Sequence, residues 1–450
     1  MRFRKITFIL AFLSVAGILN AQQTPAPAQD EVISIIGATA HTGTGEVIEN
    51  SLIIFENGKI TKVAKASEAE AEGRVINAEG KDVYPGFIAP NATLGLVEID
   101  AVRATDDEDE IGSMLPHVRS LIAYNAESKV VESMRPNGVL IGQVVPRGGR
   151  ISGTSSIVQF DAWNWEDAVV KEDDGLHINW PASFKRGRWW LGEERGMKPN
   201  KEYQKQVMEL NDFFASAKAY LSGKRNVKHL PYLAMEKVFT GDKKVYIHVN
   251  GEKEMLDAIQ FKKDNELKEM VFVGAYQAMD LADKLKENNI AVLVERPHNL
   301  PNQDYQEYDS PYKLATELYN KGVLVAIQSA GRMERMNTRN LPFYAGTAVA
   351  FGLDKEEALQ LITSNSAKIL GIDDIAGSLE EGKDATLFIS EGDALDMRTN
   401  ILSHAFIQGR EISLETHQTE LWKRYMNKYK RQNAQNKEAE ADEAEHAESK

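Results

Sequence analysis

The middle of the chain alternates predicted strands with predicted helices, and this alternation constrains the fold more than any other feature. The segments are, in chain order, a strand at 245–249, a helix at 252–263, a strand at 270–273, a helix at 276–288, a strand at 290–294, a helix at 312–321 and a strand at 323–328. Such alternation is typical of parallel βαβ units, which right-handed crossovers close into a (β/α)8 barrel. The sequence therefore predicts an α/β fold with a TIM-type barrel over residues 87–374.

Both flanks of this region read as β-structure. Residues 32–86 contain short β-branched runs, two of them joined by the hairpin signal Glu56-Asn57-Gly58-Lys59. Residues 375–414 contain a matching set of strand-like segments. We expect the two ends to form one small composite β-sandwich, with residues 161–230, rich in tryptophan, as an insertion over the barrel mouth.

The two termini are expected to lie outside this fold. Residues 1–21 combine a basic start, an apolar run at 6–19 and a small Ala21, the pattern of a signal peptide. Its roughly 14 apolar residues fall short of the about 20 that span a bilayer. The predicted location is therefore periplasmic or extracellular. Residues 432–450 alternate alanine with acidic residues, which predicts a disordered acidic tail.

Composition limits the partners and the chemistry. The formal net charge is −14, which argues against nucleic acid and, after signal removal, against an anionic membrane as a partner. The predicted partner is a small-molecule ligand or substrate, and the sequence predicts no oligomeric state. The chain has no cysteine, so thiolate metal ligands and disulfides are excluded.

Four motifs carry a resemblance to a known family. Residues 81–99 include Tyr84-Pro-Gly-Phe-Ile-Ala-Pro-Asn-Ala-Thr93, and linked motifs follow at 341–352, 356–372 and 377–385. Together they resemble the amidohydrolase superfamily, in particular its imidazolonepropionase-like subgroup. The resemblance covers about residues 32–414 and is thin between 161 and 230.

The resemblance also predicts where metal ligands belong. The family frame is Pro-Gly-Phe-Ile-Asp-x-His-x-His, and its two histidine positions hold Asn91 and Thr93 here. His248 matches the fifth-strand histidine. The sixth strand, at 271–275, has no histidine, and Ser329 or Ala330 replaces the eighth-strand aspartate. The fourth strand shows no clear bridging lysine or glutamate. Catalytic zinc takes three protein ligands plus water, so we predict that the standard metal site is lost and expect no metal cofactor.

Other polar residues are candidates for a site without metal. His248, His298 and Glu295 follow predicted strands and are candidates for acid–base catalysis. His248 is alternatively a hydrogen-bonded remnant, and His298 alternatively orders its loop. Arg147 and Arg150, in the glycine-rich segment 146–156, are candidates for substrate binding together with Asn91 and Thr93. That segment is alternatively a tight structural loop.

Two functions follow as expectations. The resemblance implies an exported hydrolase that acts on non-peptide C–N bonds of a small amide or cyclic substrate, without metal-activated water. The alternative is a non-catalytic descendant that binds a small molecule or a partner in the barrel mouth.

Overall fold

The computed structural model describes residues 24–448 except 188, 193–195, 224–226, 302–305 and 332, and it describes side chains as far as residue 434. The predicted signal peptide lies outside the described residues. The strands are β1 (Ile33–Ile36), β2 (Thr39–His41), β3 (Val47–Ile48), β4 (Ser51–Glu56), β5 (Lys59–Lys65), β6 (Arg74–Asn77), β7 (Asp82–Pro85), β8 (Phe87–Ala92), β9 (Val139–Val144), β10 (Ile151–Gln159), β11 (Val169–Asn179), β12 (Phe184–Arg186), β13 (Met197–Pro199), β14 (Lys244–Val249), β15 (Met270–Gly274), β16 (Ile290–Val294), β17 (Val325–Ile327), β18 (Leu387–Ser390), β19 (Leu402–Ile407) and β20 (Arg410–Glu411).

Helices cover the outside of the sheet and end the chain. They are α1 (Lys129–Glu132), α2 (Trp165–Ala168), α3 (Tyr203–Ser222), α4 (Leu230–Leu233), α5 (Glu236–Thr240), α6 (Glu252–Asp264), α7 (Ala282–Glu287), α8 (Ser310–Asn320), α9 (Glu334–Asn337), α10 (Leu341–Ala350), α11 (Lys355–Gln360), α12 (Ser364–Leu370) and α13 (His417–Glu448). Of the described helices, none combines the length and apolarity needed to cross a membrane.

Eight strands form the barrel sheet, in the order β17-β16-β15-β14-β11-β10-β9-β8. Strands β11 and β14 to β17 pair in parallel, as the alternating sequence predicts, whereas β10 runs antiparallel to both β9 and β11. The seam between β8 and β17 is bridged by backbone that follows α11. Ile88 donates to Ile362 (2.9 Å) and Ile327 donates to Leu361 (3.1 Å). The predicted α/β barrel fold is confirmed.

The two ends of the chain share a β-rich domain, which confirms the composite sandwich. One sheet has the order β5-β4-β1-β6, and the other, β20-β19-β18-β7-β2-β3, combines strands from both ends. Apolar residues from both ends fill the space between the sheets, among them Ile35, Phe55, Leu387 and Phe406. Burial of these side chains holds segments more than 300 positions apart together.

The apolar core of the barrel has two parts. Outward-facing strand residues such as Leu176, Ile247 and Phe272 pack against the helices. Inward-facing residues, among them Ile88 and Leu293, pack with residues of α12 and the turn after it. Since α12 fills the interior from one side, the polar interior positions lie toward the carboxyl ends of the strands.

Two segments differ from the sequence-based expectation. Residues 161–230 are not one insertion, because they contain the fourth barrel strand, β11, and the helix α3 that follows it. The acidic residues of β11 concealed this strand. The chain end, expected to be disordered from residue 432, continues as helix α13 to Glu448. Alanine, glutamate and lysine are strong helix formers, so composition favours a helix even without burial.

Candidate functional site at the barrel mouth

The interior of the barrel is polar at the carboxyl ends of its strands. Each of several neighbouring strands contributes a buried polar side chain, and Gln328 follows β17. We call this set the buried polar network; its members are Asn91, Gln143, Ser155, Asp174, His177, Tyr246 and Gln328, together with the half-buried His248 and Arg147. Buried polar groups are costly unless they are hydrogen-bonded, so the contacts within the network define what it can do.

Arg147 supplies the positive charge on one side of the network. Its Nη1 donates to Asn91 Oδ1 (2.7 Å) and its Nη2 donates to the Asn91 carbonyl (2.9 Å). Nη2 also donates to Glu334 Oε2 (3.0 Å). Arg147 and Glu334 thus form an ion pair, and the Glu334 side chain is only 6% exposed. The guanidinium is therefore fixed directly beside Asn91, where the family motif has its first metal-binding histidine.

The backbone at Asn91 explains why asparagine suits this position. Asn91 has φ of 52°, in the left-handed region, which asparagine tolerates better than most residues. Its N–H donates to Gln143 Oε1 (3.0 Å), and its Nδ2 donates to Gln328 Oε1 (3.4 Å). Asn91 thus connects β8 to β9 and to the end of β17, and its side chain is fully engaged.

Thr93 lies in the same cluster but faces Glu334 and Arg335. Its N–H donates to Glu334 Oε1, and its hydroxyl contacts Glu334 Oε1 (3.2 Å) and Arg335 Nη1 (3.1 Å). Arg335 Nη1 also donates to Glu108 Oε2 (3.1 Å). Both positions that carry histidines in the family motif are therefore bound into arginine–carboxylate contacts.

The histidines occupy the other side of the network. His248, on β14, places Nε2 2.9 Å from His177 Nδ1, on β11. His177 Nε2 lies 2.9 Å from Ser155 Oγ, which donates to Asp174 Oδ1 (2.8 Å). A continuous chain of hydrogen bonds thus connects His248 to a buried carboxylate. The ring of His177 also stacks on Tyr246, with centroids 4.7 Å apart.

Donors surround the carboxylate at the end of this chain. Gln143 Nε2 donates to Asp174 Oδ2 (2.8 Å), and the Tyr246 hydroxyl donates to the same oxygen (3.2 Å). Burial raises the pKa of Asp174, while hydrogen bonds from Ser155 and Gln143 oppose this rise. Three donors around one carboxyl group favour its ionised form.

Hydrogen-bond accounting connects the histidine tautomers to the charge of Asp174. With Asp174 ionised, Ser155 gives its proton to the carboxylate and its oxygen accepts from His177 Nε2–H. His177 Nδ1 is then an acceptor, so His248 donates from Nε2 and keeps an unprotonated Nδ1. No hydrogen bond to His248 Nδ1 occurs among the described residues. The network therefore presents one imidazole nitrogen with a free lone pair.

Both imidazoles are neutral. Burial and the nearby charge of Arg147 lower the pKa of His248 to about 3. Burial, His248 and Arg147 lower the pKa of His177 well below its usual value. The guanidinium is thus close enough to both rings to disfavour a second positive charge.

The remaining predicted residues lie apart from this network or at its edge. The ring of His298 packs against Tyr344, and its Nε2 is 2.8 Å from Thr347 Oγ1 on α10. No hydrogen bond among the described residues joins it to His248 or Glu295. Burial raises the pKa of Glu295, which follows β16. Among the described residues, His298 therefore contacts α10 rather than His248, and a catalytic role for His298 and Glu295 stays a prediction.

The eighth strand and the glycine-rich loop also differ in role from the prediction. Ser329 donates to Thr338 (2.8 Å), while Ala330 donates its N–H to Gln328 Oε1 (2.6 Å), so Gln328 is the residue that enters the network. Arg150 Nη1 donates to the Asn179 carbonyl (2.7 Å). Of the two candidate arginines, Arg147 contacts the buried polar network, whereas Arg150 bonds to the backbone at the end of β11.

The side chains present do not fit the metal centre that the fold family implies. No group of three or more His, Cys, Asp or Glu side chains suited to a metal ion occurs in the described part of the chain. Amide and hydroxyl groups replace the first-strand imidazoles, and the cation beside them is the guanidinium of Arg147. The positive charge beside these positions therefore comes from a protein side chain.

A cleft of about 860 Å³ lies beside the ends of β14 and β15. Its lining includes Phe184 and Met197 of the β12–β13 hairpin, Asn250 just after β14, and Tyr276 just after β15. This volume lies within the range of small-molecule sites, about 300–1,000 Å³.

Sequence reasoning found one side of the network and missed the other. Asn91, Thr93, Arg147 and His248 were identifiable from motif positions. His177 and Asp174 were missed because β11 was taken for part of an insertion, although the alternation in Gly175-Leu-His-Ile-Asn179 is a strand signal. Glu334 has no local signal, since its role depends on the loop between β17 and α9.

Comparison with known proteins agrees with the fold described above. Residues 232–412 match the model of the amidohydrolase family. The structure is similar to an amidohydrolase from Thermotoga maritima MSB8, with 24% identity, a TM-score of 0.73 and coverage of 85% of this chain and 99% of that one. It is also similar to a prolidase complexed with N-methylphosphonate-L-proline (13% identity, TM-score 0.52, coverage 85% and 99%) and to phenylurea hydrolase B (14% identity, TM-score 0.51, coverage 85% and 97%). No curated protein matches the sequence. The chain therefore has the fold of amidohydrolases, while the imidazolonepropionase-like subgroup stays a prediction.

Proposed function

We propose that the protein is an exported amidohydrolase-like hydrolase that acts on a non-peptide C–N bond of a small amide or cyclic substrate without a metal. The observation that carries this proposal is the arrangement of the buried polar network around Arg147 and His248. A fixed guanidinium and an imidazole with a free nitrogen influence each other electrostatically at the barrel mouth. These are the two kinds of group that amide hydrolysis requires, an electrophile and a base.

Each residue has a defined part in this proposal. His248 Nδ1 takes a proton from a water molecule, and the water oxygen attacks the carbonyl carbon of the substrate. The guanidinium of Arg147 stabilises the negative charge that develops on the carbonyl oxygen, as backbone donors do in oxyanion holes. The C–N bond then breaks as the protonated imidazole returns the proton to the leaving nitrogen. His177, Ser155 and Asp174 hold the productive tautomer of His248.

The low pKa of His248 limits the expected rate. A general base is most effective when its pKa lies near the working pH, and a base with a pKa of about 3 is weak. We therefore expect slow turnover, favoured for substrates with an activated leaving group.

The second candidate is a protein that binds a small molecule without turnover. The observation that favours it is the engagement of Arg147, which already uses three of the five N–H donors of a guanidinium, two on Asn91 and one on Glu334. A guanidinium that is committed to its neighbours contributes charge to a ligand site but fewer donors to a transition state.

Hydrolysis of a panel of anilides and cyclic amides by protein purified in the presence of a chelator separates the two candidates. The proposal predicts turnover that survives chelation and falls about 100-fold or more in His248→Gln and in Arg147→Gln. His298→Gln is the matched control, because its ring contacts α10, and it should retain the parent rate. Saturable ligand binding with no turnover would support the binding protein instead. Turnover that chelation abolishes would contradict both.

A further inference from the structure

The described side chains of helix α13, as far as residue 434, make few contacts with the body of the protein. At its start, the His417 N–H donates to the buried Glu132 Oε1 (2.8 Å), and Thr416 is buried. Leu421 is half-buried, and every described side chain after it, from 422 to 434, is exposed. The helix extends over 32 residues, or about 48 Å at 1.5 Å per residue. Most helical stability in proteins comes from packing of one face, so a helix of this kind lacks its partner.

An apolar stripe identifies the face that would pack. Trp422, Tyr425, Met426 and Tyr429 follow the spacing i, i+3, i+4, i+7, which places them on one side of a helix. They are 63%, 46%, 39% and 53% exposed. Aromatic side chains bury about 150–250 Å² each when covered, so covering this stripe is strongly favourable.

The charge of the helix is divided along its length. Residues 417–434 contain five basic and one acidic residue, whereas residues 435–450 contain two basic and six acidic residues. Acidic residues near the carboxyl end of a helix interact unfavourably with the helix dipole, so positive charge from another segment would stabilise the distal half, residues 435–450. The proximal half of the same helix, residues 417–434, carries such positive charge.

We propose that two copies of the chain associate through α13 in antiparallel orientation. This orientation places the basic half of each helix against the acidic half of the other, and it lays each apolar stripe along the alanines and the aliphatic parts of the glutamates in the partner's residues 435–450. Parallel pairing would place like charges together. An anionic membrane would attract the basic half but repel the distal half, so a second copy fits the whole helix better.

Sedimentation of the chain from residue 22 onward tests the association. We expect a dimer at micromolar concentration that weakens as NaCl is raised from about 50 mM to about 500 mM, because salt screens the paired charges. Replacement of Trp422, Tyr425, Met426 and Tyr429 by alanine should weaken dimerisation at least about 100-fold, since buried aromatic residues dominate interface energies. Asn427→Ala, on the opposite face of the helix, is the control and should leave the dimer unchanged.

Orientation is measurable because the chain has no cysteine of its own. Spin labels on Gln418→Cys should lie roughly 40 Å apart in the dimer, and labels on Asn433→Cys should lie within about 20 Å, given 1.5 Å of rise per residue. Short distances for both variants would mean either parallel helices or an antiparallel register that stacks the two apolar stripes, and either result would overturn the proposed pairing of basic with acidic halves. A monomer at all concentrations would also overturn it, as would a monomer that binds anionic phosphatidylserine vesicles through the stripe.

Discussion

Two buried histidine sites in this molecule have opposite electrostatics, and the contrast shows what controls the barrel mouth. His41 lies where the sandwich meets the barrel, with Nδ1 2.7 Å from Glu356 Oε1 and Nε2 3.6 Å from Asp82 Oδ1. Burial lowers its pKa, but the two carboxylates outweigh burial, so its pKa is raised. His248 is paired with a neutral imidazole and lies near Arg147, so its pKa falls to about 3.

The comparison shows that the sign of the neighbouring charges determines the direction in which the pKa of each histidine shifts. At the sandwich junction two carboxylates favour a positive charge on His41 and raise its pKa. At the barrel mouth Arg147 supplies the positive charge, pairs with Glu334 and contributes to the lowered pKa of both histidines. A guanidinium is always charged and has a rigid set of donors, so its place in the network does not vary with pH.

The largest expected effect is that of Arg147→Ala. It leaves the buried Glu334 carboxylate without its cation and removes both hydrogen bonds to Asn91. Breaking a buried ion pair from one side typically costs about 3–5 kcal/mol. We expect a loss of about 3 kcal/mol in the free energy of unfolding, measured by urea denaturation at pH 7.5.

A double-mutant cycle provides the control for that change. Glu334→Gln combined with Arg147→Ala removes the uncompensated charge, so the double variant should be more stable than the sum of the single losses predicts. Strict additivity would show that the two groups do not interact and would remove the main support for a guanidinium-centred site.

His41→Gln should destabilise the protein by about 2 kcal/mol at pH 5.5, because it removes charge-assisted hydrogen bonds. The folded-state pKa is raised, so the contribution is complete below the unfolded pKa of about 6.5 and is lost as the pH rises through the folded value. Thermal unfolding of parent and variant at pH 5.5 and pH 9 checks this. An equal loss at both values would show that His41 acts by packing on Tyr84 alone.

His248→Gln should have the opposite pH dependence. Because the folded pKa is about 3, the unfolded state binds more protons below pH 6.5, and the parent loses stability as the pH falls. At pH 5.5 the lowered pKa of one histidine costs about 1.4 kcal/mol, and the variant should be spared most of this loss. Denaturant titrations at pH 7.5 and pH 5.5 give the change in the free energy of unfolding with pH for the parent and for the variant. An equal change in the two proteins would mean that His248 is not neutral in the native state.

Arg150→Ala should have the smallest effect. Its contact with the Asn179 carbonyl is one hydrogen bond of a surface loop, which is worth about 1 kcal/mol. Because Arg150 does not reach Asn91 or His248, activity and ligand binding should remain at the parent level. A loss of function as large as that of Arg147→Ala would show that the loop as a whole binds the substrate.

Local patterns predicted the regular parts of the fold and the conspicuous half of the site. Strand–helix alternation and β-branched runs located β14 to β17 and both ends of the sandwich, since these follow from periodicity and burial. The antiparallel strand β10 and the acidic strand β11 lack long β-branched runs, because polar residues of both strands face the interior and bond to one another; the short alternation at 175–179 was the remaining strand signal in β11. The role of Glu334 depends on a contact with Arg147, 187 positions away, which no local signal contains.

Restoring the metal-binding side chains of the family tests whether Arg147 prevents zinc binding at the barrel mouth. Asn91→His, Thr93→His, Ala275→His and Ala330→Asp together restore the family's side chains, but Arg147 still occupies the position beside Asn91. Asn91 and Ala275 also have positive φ, where histidine is strained. We therefore expect zinc affinity to rise only when Arg147→Ala is added, as measured by competition with a chromogenic chelator.

The most direct test of the guanidinium-centred site is the zinc content of the parent protein. The purified chain is incubated with excess zinc, passed through a desalting column and measured by elemental analysis. The account predicts well below 0.1 equivalent of retained zinc, because Arg147 excludes a second cation and too few ligands surround it. One equivalent or more, lost on His248→Gln, would show that the barrel mouth is a metal centre and would contradict the account.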